Sequence, residues 1–185
     1  MTPHIVTIFG SSRPTEDSAE YQLARALGKE LAQAGLTVCN GGYAGTMEAS
    51  ARGSKEAGGA TIGVTVDAFG KSANRWIDRE IRLPTLTERL MKLVELGDAY
   101  VVLKGGTGTL LELAYVWEFI NKGLLREKPI VIVGSFWRGV VHTLKEELIW
   151  EGLGDCTKLI AQVETPEACV SYLKQKLVRE RRDLV

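Results

Sequence analysis

The sequence has 185 residues, in which 23 Lys and Arg are balanced by 23 Asp and Glu. This length suits one domain over residues 1–185 that buries a core without disulfides or a structural metal. The absence of net charge argues against a protein that binds nucleic acid or an acidic membrane over a broad surface. Any recognition of a phosphate group must therefore be local.

The cysteines are an odd number at wide spacing, Cys39, Cys156 and Cys169, and the chain has 2 histidines. This pattern favours reduced thiols and argues against a zinc site or a disulfide framework. Residues 1–10 lack the pattern of a secretion signal, and no run of about 18 apolar residues occurs. We expect a cytoplasmic protein with no metal, no cofactor and no membrane-spanning segment.

The first third of the chain alternates apolar runs with helical patterns. A buried strand at 4–10 ends in a turn-forming cluster, which places Ser11 and Ser12 at its carboxyl end. A helix at 17–34 and a strand at 36–39 follow. A glycine turn containing Gly41 and Gly42 then opens a helix over 47–57.

A third strand at 60–66 leads into a polar, irregular segment at 67–79. A loop of this length is unusual in a compact domain unless it is functional or disordered, so a mobile flap or a partner contact is expected there. After a short strand at 80–83, the sequence Thr85 to Glu88 fits a capping box that starts a helix at 86–96.

A second glycine turn, at 104–112, lies between an apolar strand at 99–103 and a helix that runs to about residue 121. Backbone N–H groups at the start of a helix lack intrahelical partners, and the helix dipole adds positive potential there. A phosphate group is therefore the expected guest. Because the turn has neither a third glycine at dinucleotide spacing nor a P-loop lysine, a mononucleotide or sugar phosphate suits it best.

The last third is predicted to contain strands at 129–134 and 158–163, a helix at 138–149, and a final helix that Thr165 caps before Pro166. The charged end of that helix, with Arg179, Arg181 and Arg182, is expected to be a solvated face or a partner contact. Continuous apolar strands, each followed by a helix, predict a doubly wound parallel sheet in three α/β/α layers. Ligands of such sheets bind beyond the carboxyl ends of the strands, so the loops there should converge on one cleft.

Glu112 has two interpretations. It completes a second capping-box pattern with Thr109, which would make it a structural residue. The surrounding helix, however, is apolar on all sides, which predicts burial by the sheet on one side and by a second subunit on the other. A carboxylate in such a helix costs free energy unless it is paired or used.

Arg89 also has two interpretations. Its direction falls within the apolar arc of its helix, so its guanidinium could point inward towards an anion. Alternatively, its apolar stem packs while the charged head reaches a carboxylate at the surface.

These residues together resemble the Lonely Guy family of cytokinin-activating nucleotide phosphoribohydrolases, whose members are often labelled lysine decarboxylases. Arg89, then Asp98, then a strand and Gly-Gly-x-Gly-Thr-x-x-Glu at 105–112 carry the resemblance, which covers most of the chain. It implies a Rossmann-like homodimer whose active site lies at or near the subunit interface. It also implies a small-molecule nucleotide as substrate and hydrolysis of the N-glycosidic bond of AMP-like or cytokinin nucleotides.

By the same resemblance, Arg89 and Glu112 would be the catalytic pair. The phosphate would be held by the second glycine turn, at Gly105, Gly106, Thr107, Gly108 and Thr109. Ser11, Ser12, Gly41 and Gly42 complete the predicted nucleotide-binding set.

The chain differs from the family pattern around this pair. Lys104 and Leu90 replace a proline and a lysine, and Tyr43 and Glu48 replace two glycines. The family's upstream substrate-contacting glutamate has no evident counterpart within 67–79. A carrier that binds a nucleotide or molybdenum cofactor without turnover, on the same scaffold, is therefore an alternative. A lysine decarboxylase is not favoured, because no motif suggests a pyridoxal Schiff base.

Overall fold

A computed structural model describes residues 3–183, apart from the side chains at positions 155, 157 and 178–183. The predicted solvated face with Arg179, Arg181 and Arg182 lies outside the described residues. The described strands are β1 (Ile5–Phe9), β2 (Thr37–Asn40), β3 (Thr61–Val66), β4 (Arg79–Leu83), β5 (Ala99–Val102), β6 (Ile130–Val133) and β7 (Ile160–Val163). The described α-helices are α1 (Ala19–Gln33), α2 (Thr46–Glu56), α3 (Leu86–Leu96), α4 (Thr107–Asn121), α5 (Arg138–Trp150) and α6 (Pro166–Asp183).

All seven strands join one parallel sheet in the order β4-β3-β2-β1-β5-β6-β7. The predicted doubly wound α/β architecture is confirmed. The chain adds strands in one direction from β1 to β4 and in the other direction from β5 to β7. The strand order therefore reverses between β1 and β5, where open sheets of this type bind ligands.

The central strands are buried on both faces, as their continuous apolar runs predicted. One core lies between the sheet and helices α1, α2 and α6, and includes Leu27, Ala49 and Leu173. The second core lies under α3, α4 and α5, and includes Leu93 and Leu113. The three-layer arrangement follows from these two cores.

The segment between β3 and β4 is held in place by hydrogen bonds. It begins with a short 3-10 turn, Asp67–Phe69. The backbone N–H of Asn74 donates to the carbonyl of Gly42 at 2.7 Å, and the N–H of Thr61 donates to the Asp78 carboxylate at 2.9 Å. These bonds attach the segment, as a wall, to the turn after β2 and to β3; its role as a mobile flap or a partner contact stays a prediction.

The start of β7 differs from the sequence-based expectation. Residues 158 and 159 belong to a 3-10 turn, Gly154–Leu159, and β7 starts only at Ile160.

Among the described residues, no helix is long and apolar enough to cross a membrane. Cys39, Cys156 and Cys169 are free, and the first and last of these are buried. The cytoplasmic location stays a prediction.

A close approach of α1 and α2 generates the first test. A Cβ atom added at Gly28 would lie 2.0 Å from the carbonyl oxygen of Ser50, which is backbone and cannot rotate away. We expect Gly28→Ala to lower the free energy of unfolding by about 2 kcal/mol or more, because the two helices must separate. Urea denaturation measures this loss.

Gly139→Ala is the matched control. Gly139 also lies in a helix, α5, but a Cβ there meets no atom within 4 Å. This substitution should raise stability by at most about 1 kcal/mol through helix propensity. Equal effects of the two substitutions would contradict the packing argument.

Candidate active site

A cleft of about 850 Å³ opens at the carboxyl edge of the sheet, beside the reversal between β1 and β5. The loops after β1, β2, β3 and β5 all contribute to it, and α3 contributes Arg89. The predicted convergence of three loops is confirmed, and a fourth segment joins them. The lining residues from the predicted set are Ser11, Ser12, Arg89, Gly106, Thr107, Gly108, Thr109 and Glu112.

The second glycine turn presents unpaired donors to this cleft. Helix α4 begins at Thr107, and Gly106 precedes it in an extended conformation without a side-chain cap. The first backbone N–H with an acceptor is that of Leu110, which donates to Gly106 at 3.0 Å. Within the described residues, the N–H groups of Thr107, Gly108 and Thr109 have no acceptor, so they are free to donate hydrogen bonds to an anion.

The capping box predicted for Thr109 and Glu112 is wrong. The helix starts before Thr109, whose side chain is 3% exposed and packs under Gly105. Glu112 consequently lies in the second turn of α4, too far along the helix to cap it. By contrast, the box of Thr85 and Glu88 at the start of α3 is confirmed, with both reciprocal hydrogen bonds present.

Arg89 points inward and is held by backbone carbonyls. Its Nε donates to Val64 O at 2.8 Å, and its Nη2 donates to Gly41 O at 3.3 Å. The guanidinium carbon lies 5.6 Å from the ring centroid of Tyr43, close enough for a cation–π contact. Of the two interpretations of Arg89, the structure has the inward one.

Glu112 is a partly buried acid beside this cation. Burial raises the pKa of its carboxyl group to about 7, and the nearby charge of Arg89 offsets only part of that rise. Within the described residues the carboxylate has neither a hydrogen bond nor an ion pair that would hold it ionised. An acid with a pKa near neutrality can both give and take a proton at physiological pH.

Three predicted binding glycines support the site from behind the cleft surface. A Cβ at Gly41 would lie 1.8 Å from Arg89 Nη2, so only glycine leaves room for the guanidinium. Gly42 has φ +76 and accepts hydrogen bonds from Asn74. A Cβ at Gly105 would lie 2.1 Å from Thr109 Oγ1.

Ser11 and Ser12 have different positions in the loop after β1. The Ser11 carbonyl accepts from the N–H and the hydroxyl of Thr46, and its N–H donates to Lys104 O. Ser11 therefore joins the loop to both glycine turns. Ser12 is exposed and lines the cleft, where its hydroxyl can meet a ligand.

The sequence matches the profile of the SLOG cluster4 family over residues 3–170. The chain belongs to the SLOG cluster4 family. Two curated relatives are named cytokinin riboside 5′-monophosphate phosphoribohydrolase. The protein of Rhodococcoides fascians is 30% identical and covers 72% of this chain and 69% of its own length. The protein of Mycobacterium tuberculosis is 34% identical, with 69% of each chain covered. These matches confirm the resemblance to the Lonely Guy family.

Solved structures extend the comparison of the fold. The molybdenum cofactor carrier protein of Chlamydomonas reinhardtii has a TM-score of 0.76 and 23% identity, covering 96% of this chain and 99% of the carrier. The molybdenum cofactor binding protein of Rippkaea orientalis has a TM-score of 0.74 and 23% identity, covering 95% and 98%. At this identity the likeness shows a shared fold.

Several residues of this SLOG cluster4 site were missed as site residues from sequence. Tyr43 and Glu48 were noted only as departures from the family pattern, yet both line the cleft. The other missed lining residues are Gly10, Arg13, Ala44, Met47, Phe69, Lys71, Ser72 and Asn74. A tyrosine within a glycine turn, and a long segment following β3 at the carboxyl edge, were the signals that could have pointed to them.

The described residues contain no group of three His, Cys, Asp or Glu side chains that could hold a metal ion.

The pKa of Glu112 makes the stability of this SLOG cluster4 protein depend on pH. Folding raises that pKa from 4.5 to about 7, so between these values the native state keeps a proton that the unfolded state loses. Wild-type stability should therefore fall as the pH rises through this window. Glu112→Gln should remove this loss, gaining about 1–3 kcal/mol over wild type from pH 4.5 to pH 8.

Urea denaturation across this pH range measures the difference. Glu127→Gln is the control, because Glu127 is an exposed residue of the loop before β6 and does not line the cleft. If the wild-type and Glu112→Gln curves run parallel over the whole range, the pKa of Glu112 is not raised.

Proposed function

We propose that the protein is a nucleoside 5′-monophosphate phosphoribohydrolase that acts on AMP-like or cytokinin nucleotides. The observation that carries this proposal is the position of Glu112 next to Arg89, one helical turn beyond three free N–H donors, in one cleft. The names of the relatives from Rhodococcoides fascians and Mycobacterium tuberculosis support it. So does a pyrimidine/purine nucleotide 5′-monophosphate nucleosidase of Escherichia coli, 26% identical over 78% of this chain and 36% of its own length.

The proposed reaction uses each part of the cleft. The N–H groups of Thr107, Gly108 and Thr109 hold the 5′-phosphate, which places the ribose over Glu112. As the bond from C1′ to the base breaks, positive charge develops on the ribose, and the Glu112 carboxylate stabilises it. Water adds its oxygen to C1′ and loses a proton to Glu112, while the base leaves with the bonding electrons and takes up a proton from solvent; Glu112 then returns its proton to solvent. Arg89 orients the substrate by its fixed charge.

A carrier without turnover is the second candidate. The observation that favours it is the likeness to molybdenum cofactor carriers over nearly the whole of both chains. Such a protein would use the same N–H groups to bind a phosphate, but it would not need an acid whose pKa lies near 7. The two candidates therefore differ in what Glu112 does.

The decisive experiment incubates purified protein with AMP and other nucleoside monophosphates and measures free base and ribose 5-phosphate. Wild type should release base, and Glu112→Gln should lower the rate about 10²- to 10⁴-fold, because it removes the proton acceptor and the negative charge. Arg89→Ala should lower it at least tenfold. Glu127→Gln, in the exposed loop before β6, should leave the rate unchanged.

Thermal denaturation of each variant accompanies the assay, so that unfolding is not mistaken for lost chemistry. A wild-type protein that binds AMP without releasing base would reject the hydrolase and favour the carrier. Activity retained in folded Glu112→Gln would reject the role assigned to this acid.

We also propose that the protein is a homodimer that pairs through α4 and α5. The large exposed apolar side chains of the α-helices lie on α3, α4 and α5: Leu86, Met91, Leu111, Val140, Leu144, Ile149 and Trp150. The described side chains of α1, α2 and α6 contribute none. Between α4 and α5 runs a groove of about 160 Å³, which Ala114 and Leu144 help to line. A second copy on this face would bury the side of α4 that the monomer leaves exposed.

Ala114→Lys should convert a dimer into a monomer, because it places a charge in an apolar interface without a partner. Ala26→Lys is the matched control, since Ala26 is an exposed alanine of α1, on the opposite side of the sheet. Sedimentation at micromolar concentration should show a dimer for wild type and Ala26→Lys. A monomeric wild type would reject the proposed interface.

A further inference from the structure

Two aromatic rings lie at one side of the cleft, and no role has been assigned to them so far. The rings of Tyr43 and Phe69 meet at a centroid distance of 5.5 Å with an interplanar angle of 56°. Both residues line the cleft, and Phe69 is 48% exposed. A half-exposed phenylalanine at the wall of a polar cleft offers apolar surface to a flat ligand.

The wall that carries these rings is built in advance of any ligand. The Tyr43 hydroxyl donates to Val66 O at 3.3 Å and accepts from Val66 N at 2.9 Å, which fixes the ring. Asn74 Nδ2 donates to the carbonyls of Gly42 and Tyr43, and so ties the segment that carries Phe69 to the turn after β2. A preformed surface binds without the entropy cost of ordering it.

The order of groups along the cleft matches the parts of a nucleotide. Arg89 lies 5.6 Å from the Tyr43 ring centroid, and its charge also acts on Glu112. Glu112 in turn lies one helical turn from the free N–H of Thr109. The sequence of sites is therefore aromatic rings, cation, acid and anion cradle, which corresponds to base, glycosidic bond, ribose and phosphate.

We propose that Phe69, supported by Tyr43, is the nucleobase platform of the cleft, and that it makes the protein prefer purine over pyrimidine nucleotides. A purine stacks with more ring area than a pyrimidine, so it gains more from an aromatic surface. The proposal rests on the proposed function for the placement of the ribose and phosphate. Tyr43 stands where the Lonely Guy pattern has glycine, so this wall belongs to this chain's own sequence.

Binding is measured by calorimetry with AMP, UMP and ribose 5-phosphate, in the Glu112→Gln background so that no ligand is consumed. The background protein should bind AMP more tightly than UMP. Adding Phe69→Ala should weaken AMP binding about tenfold through loss of stacking, with a smaller loss for UMP and no change for ribose 5-phosphate. Adding Phe69→Trp should restore AMP affinity.

Phe136→Ala is the matched control, because Phe136 is 51% exposed and lies outside the cleft lining; it should change none of the three affinities. Equal loss for AMP and ribose 5-phosphate, or no loss for AMP, would overturn the proposal. Because the readout is binding, a wild type that binds AMP selectively but releases no base would reject the hydrolase and leave the platform supported.

Discussion

The docking of Arg89 on the Gly41 carbonyl is the contact on which the site depends. The guanidinium occupies the space that a side chain at position 41 would need. Two backbone carbonyls hold it, so its charge remains available to the cleft instead of being neutralised by a carboxylate. The two carbonyl contacts tie α3 to β3 and to the turn after β2, and they bring a fixed positive charge beside Glu112 and the Tyr43 ring. One glycine thereby sets both the geometry and the electrostatics.

The capping pattern Thr-x-x-Glu stands at the predicted start of two helices, and these two copies have opposite outcomes. At α3, Thr85 and Glu88 form both hydrogen bonds of a capping box, so donors at the helix start are paired. At α4, the extended Gly106 lets the helix begin at Thr107, two residues before Thr109, so the donors of the first turn stay open. Local pattern alone could not separate the two cases, because the difference comes from the glycines that precede the second copy.

The fold was predictable from sequence because buried parallel strands and amphipathic helices leave local signatures. The meeting of distant loops was also predictable, since parallel strands end at one edge. The aromatic wall was not, because Tyr43 and Phe69 follow different strands and meet only in the folded chain, where Asn74 and Glu80 hold the segment after Phe69. Gly41 makes room for the Arg89 guanidinium, a steric role that its sequence did not indicate, and its role in ligand binding stays a prediction.

The contrast between two glutamates explains why an open helix start matters for chemistry. Glu167, in the first turn of α6, has its pKa lowered by hydrogen bonds from its own N–H and from Thr165. Had Glu112 capped α4, similar bonds would have held its carboxylate ionised. Displaced into the second turn and partly buried, it has a pKa of about 7 and can exchange a proton at neutral pH. Because α4 starts at Thr107 and not after Thr109, Glu112 does not cap the helix. The first N–H groups are therefore left free for an anion, and the carboxyl group is left free to act on the rest of the bound molecule.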